Sequence, residues 1–249
     1  MERLILCGFP KLEDAPSTSG FCVKLEAYLR VAHIPYKHQK TYNFSAPKKK
    51  LPYIIRQDGS KLADSHFIIR WICAQDPSKD LNATLSIDQI ATSRAWQTWI
   101  EELVYSAVVW DRWHEHPEKT EEENLGSLPW IGRKMLGFYF RRLIMNALWT
   151  TGIGRHDRDE VLALMKEFVD SVALRYTNNH NYFHGTEIDV IVFAFLLNAI
   201  SLEGNKNFNS LWIAKPGLVR FVTKMTKKWF SEYTKVIAKL ESISLFPAT

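Results

Sequence analysis

LILCGFPKLEDAPSTSGFCVKLEAYLRVA, residues 4–32, is the stretch that decides the fold of this chain. Its beginning, from residue 3 to residue 7, and the Gly-Phe-Pro that follows are typical of a buried strand that ends in a turn. A polar loop comes next. Cysteine and leucine then recur at helical intervals behind Ser17, Thr18 and Ser19, any of which could cap a helix. The stretch therefore predicts a strand, a loop and a helix over residues 21–32.

The rest of the first third continues the alternation of strands and helices. Asp58-Gly59 is a turn signal, and Asp64-Ser65 stands directly before an apolar run with helical character. The order βαβ followed by ββα is that of thioredoxin-like proteins, so we expect an α/β thioredoxin-like N-terminal domain over residues 1–78. The elements predicted after the first helix are strands over 35–42, 53–56 and 61–63 and a helix over 66–74.

The strand signal disappears from about residue 86 onward. Residues 86–114 indicate one long helix, because their apolar side chains fall on a single stripe. An acidic stretch, residues 118–124, is expected to be an exposed connection. We therefore expect an all-α C-terminal domain over residues 86–249. The further helices predicted are 130–149, 157–176, 186–200 and 216–233, with 235–245 as a tail.

Charge and hydrophobicity exclude two classes of protein. The net charge of +5 is modest for 249 residues, and basic residues are interleaved with acidic ones except in the lysine run 48–50. This pattern argues against a nucleic-acid-binding protein. The longest apolar run, residues 190–197, is much shorter than the roughly 20 residues that a membrane-spanning helix needs. No membrane span is expected.

The cysteines and histidines indicate neither disulfides nor a metal site. Cys7, Cys22 and Cys73 are widely spaced and form no CxxC motif, and no signal-peptide pattern precedes them. They are typical of reduced thiols in a cytoplasmic protein. His114 and His116 are two residues apart and would point to different faces of a helix, so we expect no metal ligation.

The first candidate site is Ser17-Thr18-Ser19 at the amino end of the first helix. A hydroxyl there could donate a hydrogen bond to a thiolate while the helix dipole stabilises the negative charge. A thiol with a pKa of about 8.5 needs a shift of one or two units to ionise at neutral pH, roughly 1.4 to 2.7 kcal/mol, which such contacts can supply. The alternative is that one of these residues only caps the helix.

The second candidate site is Lys50-Leu51-Pro52, just before the third predicted strand. Proline forces the residue before it into an extended conformation. If the Leu51–Pro52 bond is cis, the N–H and C=O of Leu51 become available to an incoming peptide, which could pair with them as an added strand. The lysines beside it could attract a carboxylate, although a lysine run is also typical of a solvated surface.

The third candidate site is Asp64-Ser65, directly before a helix. The head group of an amino acid carries an ammonium and a carboxylate. Asp64 offers a carboxylate for the first, and Ser65 offers a hydroxyl beside helical N–H groups for the second. The alternative is again a helix cap.

A fourth motif has a structural interpretation. Thr186 and Asp189 have the spacing of a capping box, with Asp in place of Glu, at the start of the most apolar predicted helix. We expect this pair to support folding and to contact no ligand.

Several segments, considered together, resemble one known family. They are SGFCVKLE (19–26), YLR (28–30), PKKKLP (47–52), ADS (63–65) with Ile68-Ile69, GIGRH (152–156) with Glu160, and PGLVRF (216–221) ending in Trp229-Phe230. They resemble the glutathione S-transferase superfamily, in particular its failed-axon-connections and metaxin-like branch, which includes cadmium-responsive proteins. The resemblance extends over residues 4–233.

The resemblance implies a glutathione-binding, dimer-prone fold whose all-α part is a glutathione-transferase-type helical domain. Glutathione would be the co-substrate. Leu51 before Pro52 would pair with the cysteinyl backbone, Asp64 and Ser65 would take the γ-glutamyl end, and a serine of the 17–19 loop would face the sulfur.

The position that faces the sulfur stays open within that loop. Ser19 lies where some relatives have a nucleophilic cysteine, Ser17 lies two residues earlier, and Cys22 occupies the position of a resolving cysteine. Two residues depart from the family pattern: Gly20 stands where proline is common, and His66 stands where a small residue is usual.

Three functions follow as hypotheses. The leading one is a transferase for stress response or detoxification, which joins the glutathione thiolate to a small electrophile in an apolar pocket lined by Tyr105 and Trp110. The alternative is a non-catalytic adaptor of the same fold that binds a protein partner. A thiol reductase that uses Cys22 is disfavoured, because Cys22 would lie one helical turn inside.

Overall fold

The sheet of the amino-terminal part has the predicted strand content. The computed structural model describes residues 3–42, 44, 46–176 and 185–245. The sheet has the order β2-β1-β3-β4, in which β1 and β2 are parallel and the other neighbours are antiparallel. The strands are β1 (Leu4–Gly8), β2 (Tyr36–Lys40), β3 (Tyr53–Ile55) and β4 (Lys61–Ala63).

Two helices complete the thioredoxin-like arrangement. Helix α1 (Gly20–Val31) connects the parallel strands β1 and β2, and α2 (Ser65–Gln75) follows β4. A parallel pair needs such a crossover, because the chain must return to the end from which it started. Nine residues of α1 are buried, so this helix is enclosed between the sheet and the helical part. The predicted α/β thioredoxin-like class is confirmed.

The predicted long helix is continuous but not regular. Helices α3 (Ile87–Thr98) and α4 (Tyr105–Trp110) are joined and followed by π-helical turns, Trp99–Val104 and Asp111–Glu115. A capping box between Ser86 and Gln89 begins α3. Each π turn contains an extra residue, which rotates the side chains that follow it about the helix axis. The apolar stripe is therefore not the straight one that a single regular helix would have.

The remaining helices confirm an all-α second part and correct three details. Residues 118–124 are not an exposed connection, because they belong to a helix that starts at Pro117 and buries Thr120 and Glu121. Residues 206–213 form a helix that the sequence pattern did not predict, and residues 234–245 are a helix rather than a tail. The helices are α5 (Pro117–Leu125), α6 (Trp130–Thr151), α7 (Arg158–Tyr176), α8 (Glu187–Ile200), α9 (Lys206–Ile213), α10 (Pro216–Trp229) and α11 (Thr234–Leu245).

Helix α8 is the centre of the molecule. Every residue from Glu187 to Ile200 is buried, and the helix packs against α1. The capping box predicted at its start forms only in part. Asp189 Oδ2 accepts the N–H of Gly185 at 2.7 Å, whereas the Thr186 side chain makes no capping hydrogen bond. Asp189 therefore holds the start of α8 without the reciprocal contact.

Among residues 3–42, 44, 46–176 and 185–245, every helix is too short or too polar to traverse a bilayer. The same residues contain no group of three or more His, Cys, Asp or Glu side chains arranged to hold a metal ion.

Candidate functional site

The 17–19 loop is held from two sides at the start of α1. Ser17 is buried, and its Oγ accepts the N–H of Ser19 at 3.2 Å. Two donors of the helical part reach the loop carbonyls: Asn198 Nδ2 donates to Ser17 O at 2.8 Å, and Arg112 Nη1 donates to Thr18 O at 3.0 Å. The carbonyls therefore point towards the helical part. Ser19 is partly exposed, and its side chain does not cap α1.

Cys22 lies beneath this loop, one turn into α1. Burial raises the pKa of the Cys22 thiol, against hydrogen bonds from the Phe9 backbone and from the Ser19 and Ser17 hydroxyls, which lower it. A buried thiol with a raised pKa is protonated at neutral pH. The geometry is therefore unfavourable for Cys22 as a nucleophile.

Leu51-Pro52 and Asp64-Ser65 lie side by side. Strands β3 and β4 pair Tyr53 with Ala63, and the ladder is extended by a 3.4 Å hydrogen bond from Asp64 N to Pro52 O. The Leu51–Pro52 peptide bond is cis. Among the residues that the structure describes, neither the N–H nor the C=O of Leu51 has a hydrogen-bond partner.

Asp64 has a conformation that is unusual for a residue other than glycine. Its φ is 83°, in the left-handed region, where a Cβ atom is strained. Asp64 Oδ1 accepts the N–H of His66 at 3.0 Å and so caps α2, while Oδ2 lies 4.0 Å from Lys48 Nζ at the surface. The cap interpretation is thus confirmed, and a partly exposed carboxylate oxygen still remains.

Ser65 is the first residue of α2 and is buried. In the described part of the chain, its hydroxyl has no hydrogen-bond partner. The N–H groups of the first turn of a helix are free to bind an anion. The hydroxyl and these N–H groups together form a place for a carboxylate beside the Asp64 side chain.

A small apolar cluster connects the three sequence segments. It consists of Cys7, Cys22, Ala46, Leu51, Tyr53 and Ala63. Cys22 brings the 17–19 loop to this cluster, Leu51 belongs to it, and Ala63 directly precedes Asp64. The three candidate segments therefore meet at this cluster, at one end of strands β1, β3 and β4. Lys50 is adjacent in the chain, and its side chain is exposed.

The structure separates the two aromatic residues assigned to a substrate pocket. Tyr105 contacts Phe21 edge to face, with ring centres 4.9 Å apart, and it lines an internal cavity of about 20 Å³ with Arg112 and Asn198. Such a cavity holds about one water molecule, so it does not hold an aryl electrophile in this conformation. Trp110 does not line this cavity. It is buried, and its ring stacks on the His114 ring with the ring centres 4.4 Å apart.

Comparison with known proteins agrees with this fold. The sequence profile of the family "Glutathione S-transferase N-terminal domain" matches residues 20–119. Isoprene-epoxide–glutathione S-transferase of Rhodococcus sp. (strain AD45) is 25% identical over 89% of this chain and 97% of its own length. These matches support the glutathione S-transferase superfamily for this chain. Failed axon connections of Drosophila melanogaster is also 25% identical, over 96% of this chain, and the chain spans 60% of that protein.

Solved glutathione transferase structures share the whole fold. The beta-etherase LigF of Sphingobium sp. strain SYK-6 has a TM-score of 0.59 at 15% identity, and the alignment covers 96% of this chain and 98% of that one. A glutathione transferase homologue from Sulfitobacter, solved with bound glutathione, has a TM-score of 0.55 at 14% identity, covering 97% and 98%. At these sequence identities the likeness shows the fold alone.

Two residues of this glutathione transferase fold were missed by sequence analysis. Arg112 and Asn198 contact the candidate site but lie 94 and 181 residues away from their partners in the loop. Burial lowers the pKa of Arg112, against the opposing charge of Glu123, and its Nε has no hydrogen-bond partner among the described residues. The sequence signal for Asn198 was a single amide near the end of a mostly apolar helix. An amide alone does not identify its hydrogen-bonding partner.

Thiol reactivity tests the exclusion of a thiol reductase. Cys7 and Cys22 are buried, whereas Cys73 is partly exposed, and burial raises the pKa of all three thiols. Maleimide at neutral pH should therefore modify Cys73 first and slowly, and Cys7 and Cys22 only after denaturation. Peptide mass spectrometry of native and denatured protein measures this order. Rapid modification of Cys22 in the native protein would contradict it.

Proposed function

We propose that this chain binds glutathione and transfers its thiolate to a small electrophile. The observation that carries the proposal is the unpaired Leu51 backbone directly beside the strained Asp64 and the unpartnered Ser65 hydroxyl. An extended peptide can use an N–H and C=O pair of this kind as an added strand. The adjacent acid and hydroxyl suit an amino-acid head group at the end of such a peptide.

Each part of glutathione has a partner in this arrangement. The cysteinyl N–H and C=O pair with the C=O and N–H of Leu51. The γ-glutamyl ammonium binds the Asp64 carboxylate, and the γ-glutamyl carboxylate binds the Ser65 hydroxyl and the first N–H groups of α2. Lys50 is available to the glycyl carboxylate through its exposed ammonium. Pro52 fixes the direction of the chain between these partners.

The sulfur then faces the amino end of α1. The Ser19 hydroxyl donates to the thiolate, and the helix dipole stabilises its charge, so the thiol proton leaves to solvent at neutral pH. The thiolate attacks the electrophilic carbon and the carbon–sulfur bond forms. With an aryl halide the carbon–halogen bond breaks and halide departs with its electron pair; with an epoxide a carbon–oxygen bond breaks and the alkoxide takes a proton from solvent. Ser17 is buried whereas Ser19 is partly exposed, so we assign Ser17 the support of the loop rather than direct contact with sulfur.

The relatives suggest the wider context of the reaction. The name of the Rhodococcus relative gives an isoprene epoxide as its substrate, and the Sulfitobacter structure contains glutathione. We propose a small epoxide or aryl halide as the electrophile, a cytoplasmic role in detoxification or stress response, and a homodimer. We also propose residues 1–78 as the glutathione domain and residues 86–249 as the domain that holds the electrophile.

Retention and turnover test the assignment together. Wild-type protein should be retained on immobilised glutathione and should conjugate chlorodinitrobenzene. Asp64→Asn should weaken glutathione binding about 10- to 100-fold, as expected for the loss of a charge-assisted contact. Ser19→Ala should retain binding but lower kcat about 10- to 100-fold, and the pH profile of kcat should shift upward because the bound thiol loses a donor.

Matched variants control this experiment. Asp88→Asn removes an exposed carboxylate at the start of another helix, and Ser93→Ala removes a hydroxyl outside the site. Both should behave as wild type. If Asp64→Asn binds glutathione as tightly as Asp88→Asn does, the γ-glutamyl assignment is wrong.

The alternative function is a non-catalytic adaptor of the same fold. The cavity beside Tyr105 favours it, because about 20 Å³ leaves no room for a second substrate. The similarity to Failed axon connections over 96% of this chain also favours it. Retention on glutathione without conjugation of any tested electrophile would select this alternative.

A further inference from the structure

Helix α6 exposes an apolar surface that nothing in the described protein covers. Of its 22 residues only Gly137 and Leu148 are buried. The exposed fractions of six large side chains lie between 56% and 70%: Trp130, Ile131, Met135, Phe138, Tyr139 and Trp149. Single exposed apolar residues are ordinary, but a continuous group on one helix marks an interaction site.

Five of these side chains share one side of the helix, and Trp130, in the first turn, is about 100° away from Ile131. Ile131, Met135 and Phe138 follow each other at spacings of four and three residues, which is the repeat of an α-helix face, and Trp149 is three turns further along the same row. Tyr139 lies beside this row. Because α6 is 22 residues long, the face extends over about 33 Å. We call these six side chains and the helix that carries them the α6 face.

The charge on α6 has one sign. The helix contains Arg133, Lys134, Arg141 and Arg142 and no acidic residue. Lys134 pairs with Glu121 of α5 at 3.1 Å, while the other three cations have no carboxylate partner among the described residues. The α6 face therefore carries unneutralised positive charge within its apolar row, at Arg142, and beside that row.

The neighbouring acids do not cancel this charge. Glu121 is buried against α6, where a Cβ on Gly137 would approach its side chain to 2.5 Å, and it is used by Lys134. Glu123 is directed inward, where its Oε1 accepts the N–H groups of Glu203 and Gly204. Glu122 is exposed and lies near Lys119, on the same helix.

We propose that the α6 face binds the surface of an anionic phospholipid membrane, with the helix lying in the plane of the headgroups. Large apolar side chains on one face with Lys and Arg beside them are the composition of interfacial helices. Trp130 and Trp149 near the two ends and Tyr139 between them belong to the residue types that prefer the membrane–water boundary. The charges on α6 keep the helix at the surface, in agreement with the absence of a spanning helix among the described residues.

Shape and charge favour a lipid surface over a second copy of this chain. With only two buried residues, α6 is a convex ridge rather than a groove. A fluid bilayer adapts to a ridge, whereas a protein partner must offer a matching concave surface. A twofold dimer through this face would bring two patches of the same positive charge together, because both subunits present the same surface.

Cosedimentation with vesicles tests the proposal. Full-length protein should bind vesicles of phosphatidylcholine with about one-third phosphatidylserine, and it should bind pure phosphatidylcholine far less. Arg141→Gln with Arg142→Gln should weaken binding about 25-fold, from about 5-fold for each basic residue near an anionic surface. Met135→Gln with Phe138→Gln should weaken it at least about 10-fold. Raised salt should reproduce the effect of the arginine variant.

Two controls separate the α6 face from general charge and hydrophobicity. Lys206→Gln with Lys224→Gln removes the same charge from exposed positions on α9 and α10, and Leu174→Gln removes an exposed leucine of α7. These controls should bind vesicles as wild type does, and circular dichroism shows whether every variant is folded.

Three results would overturn the proposal. The first is no binding of the wild type to anionic vesicles. The second is equal loss of binding in the α9–α10 charge control and in the arginine variant. The third is no vesicle binding combined with light scattering in which the α6 variants change from dimer to monomer, which would assign the face to a second copy. An effect of Met135→Gln with Phe138→Gln on vesicle binding alone supports the lipid surface.

Discussion

Replacement of Lys24 by methionine is expected to lower the free energy of unfolding by about 3–5 kcal/mol, because it breaks a buried ion pair from one side. The Lys24 side chain on α1 is fully buried, and its Nζ lies 2.5 Å from Glu101 Oε1 in the long helix of the second part. Gln97 Nε2 donates to the same oxygen at 3.1 Å. Without the ammonium, the carboxylate is left with an amide, so the contact between the two parts is weakened. Urea denaturation measures the loss.

A second carboxylate increases the effect and gives it a pH dependence. Burial raises the pKa of Glu187, and the charges of Lys24 and Arg70 oppose that rise. A carboxyl whose pKa is raised by folding favours the folded state at low pH, and this contribution is lost as the pH rises through the folded pKa. Removal of Lys24 raises the pKa of Glu187 further. The loss of folding stability in Lys24→Met should therefore be smaller at about pH 5 than at about pH 8.

Two variants test whether the cause is the unpaired charge. Lys24→Met with Glu101→Leu should recover part of the lost stability, because a buried ion pair can be replaced by apolar groups at little cost. Lys37→Met at an exposed position of β2 should change stability by less than about 0.5 kcal/mol. If Lys24→Met is as mild as Lys37→Met, the ion pair does not contribute to folding.

Replacement of Asp189 by alanine is expected to lower the free energy of unfolding by about 3 kcal/mol, from two hydrogen bonds to a buried carboxylate. Asp189 Oδ1 accepts the Tyr176 hydroxyl at 2.7 Å, and Oδ2 accepts the Gly185 N–H at 2.7 Å. The side chain thus connects the end of α7 to the start of α8. The alanine variant leaves both donors without this acceptor, and thermal and urea denaturation measure the cost.

A graded series separates the two contacts of Asp189. Tyr176→Phe removes only the hydroxyl and should cost about 1–1.5 kcal/mol, while Asp189→Asn keeps an acceptor and should fall between the two. Glutathione binding should stay unchanged in all three variants, because this motif lies apart from Leu51 and Asp64. A loss of glutathione affinity in folded Asp189→Asn would contradict the structural interpretation of the motif.

Local patterns predicted most of the elements. The strands and helices of the first third were expected within a few residues of their bounds, since alternation and helical spacing are properties of neighbouring residues. Helix α5 was missed because an acidic composition hides the burial of Thr120 and Glu121, which depends on contacts with other helices. Helix α9 was missed because eight residues give too short a repeat.

Helices α6 and α8 show where such patterns fail. Both are rich in apolar residues, and a helix that is apolar on most sides is normally buried. Helix α8 follows that rule in every residue, whereas α6 buries only Gly137 and Leu148. Residues 186–200 are apolar on nearly every side and so predict a buried central helix, which is confirmed. The pattern of residues 130–149 predicted a helix but not its exposure, because burial depends on which other elements pack around a helix.

The sequence by itself determined the elements of the first third, the candidate segments 17–19, 51–52 and 64–65, and the resemblance to glutathione S-transferases. Only the tertiary structure decided that these segments meet at one cluster, that Ser17 is buried and Ser19 is partly exposed, and that Asn198 and Arg112 hold the loop carbonyls. The physical reason is range. Periodicity and caps arise from residues a few positions apart, whereas these hydrogen bonds join groups separated by 94 and 181 residues, which meet only after the chain has folded.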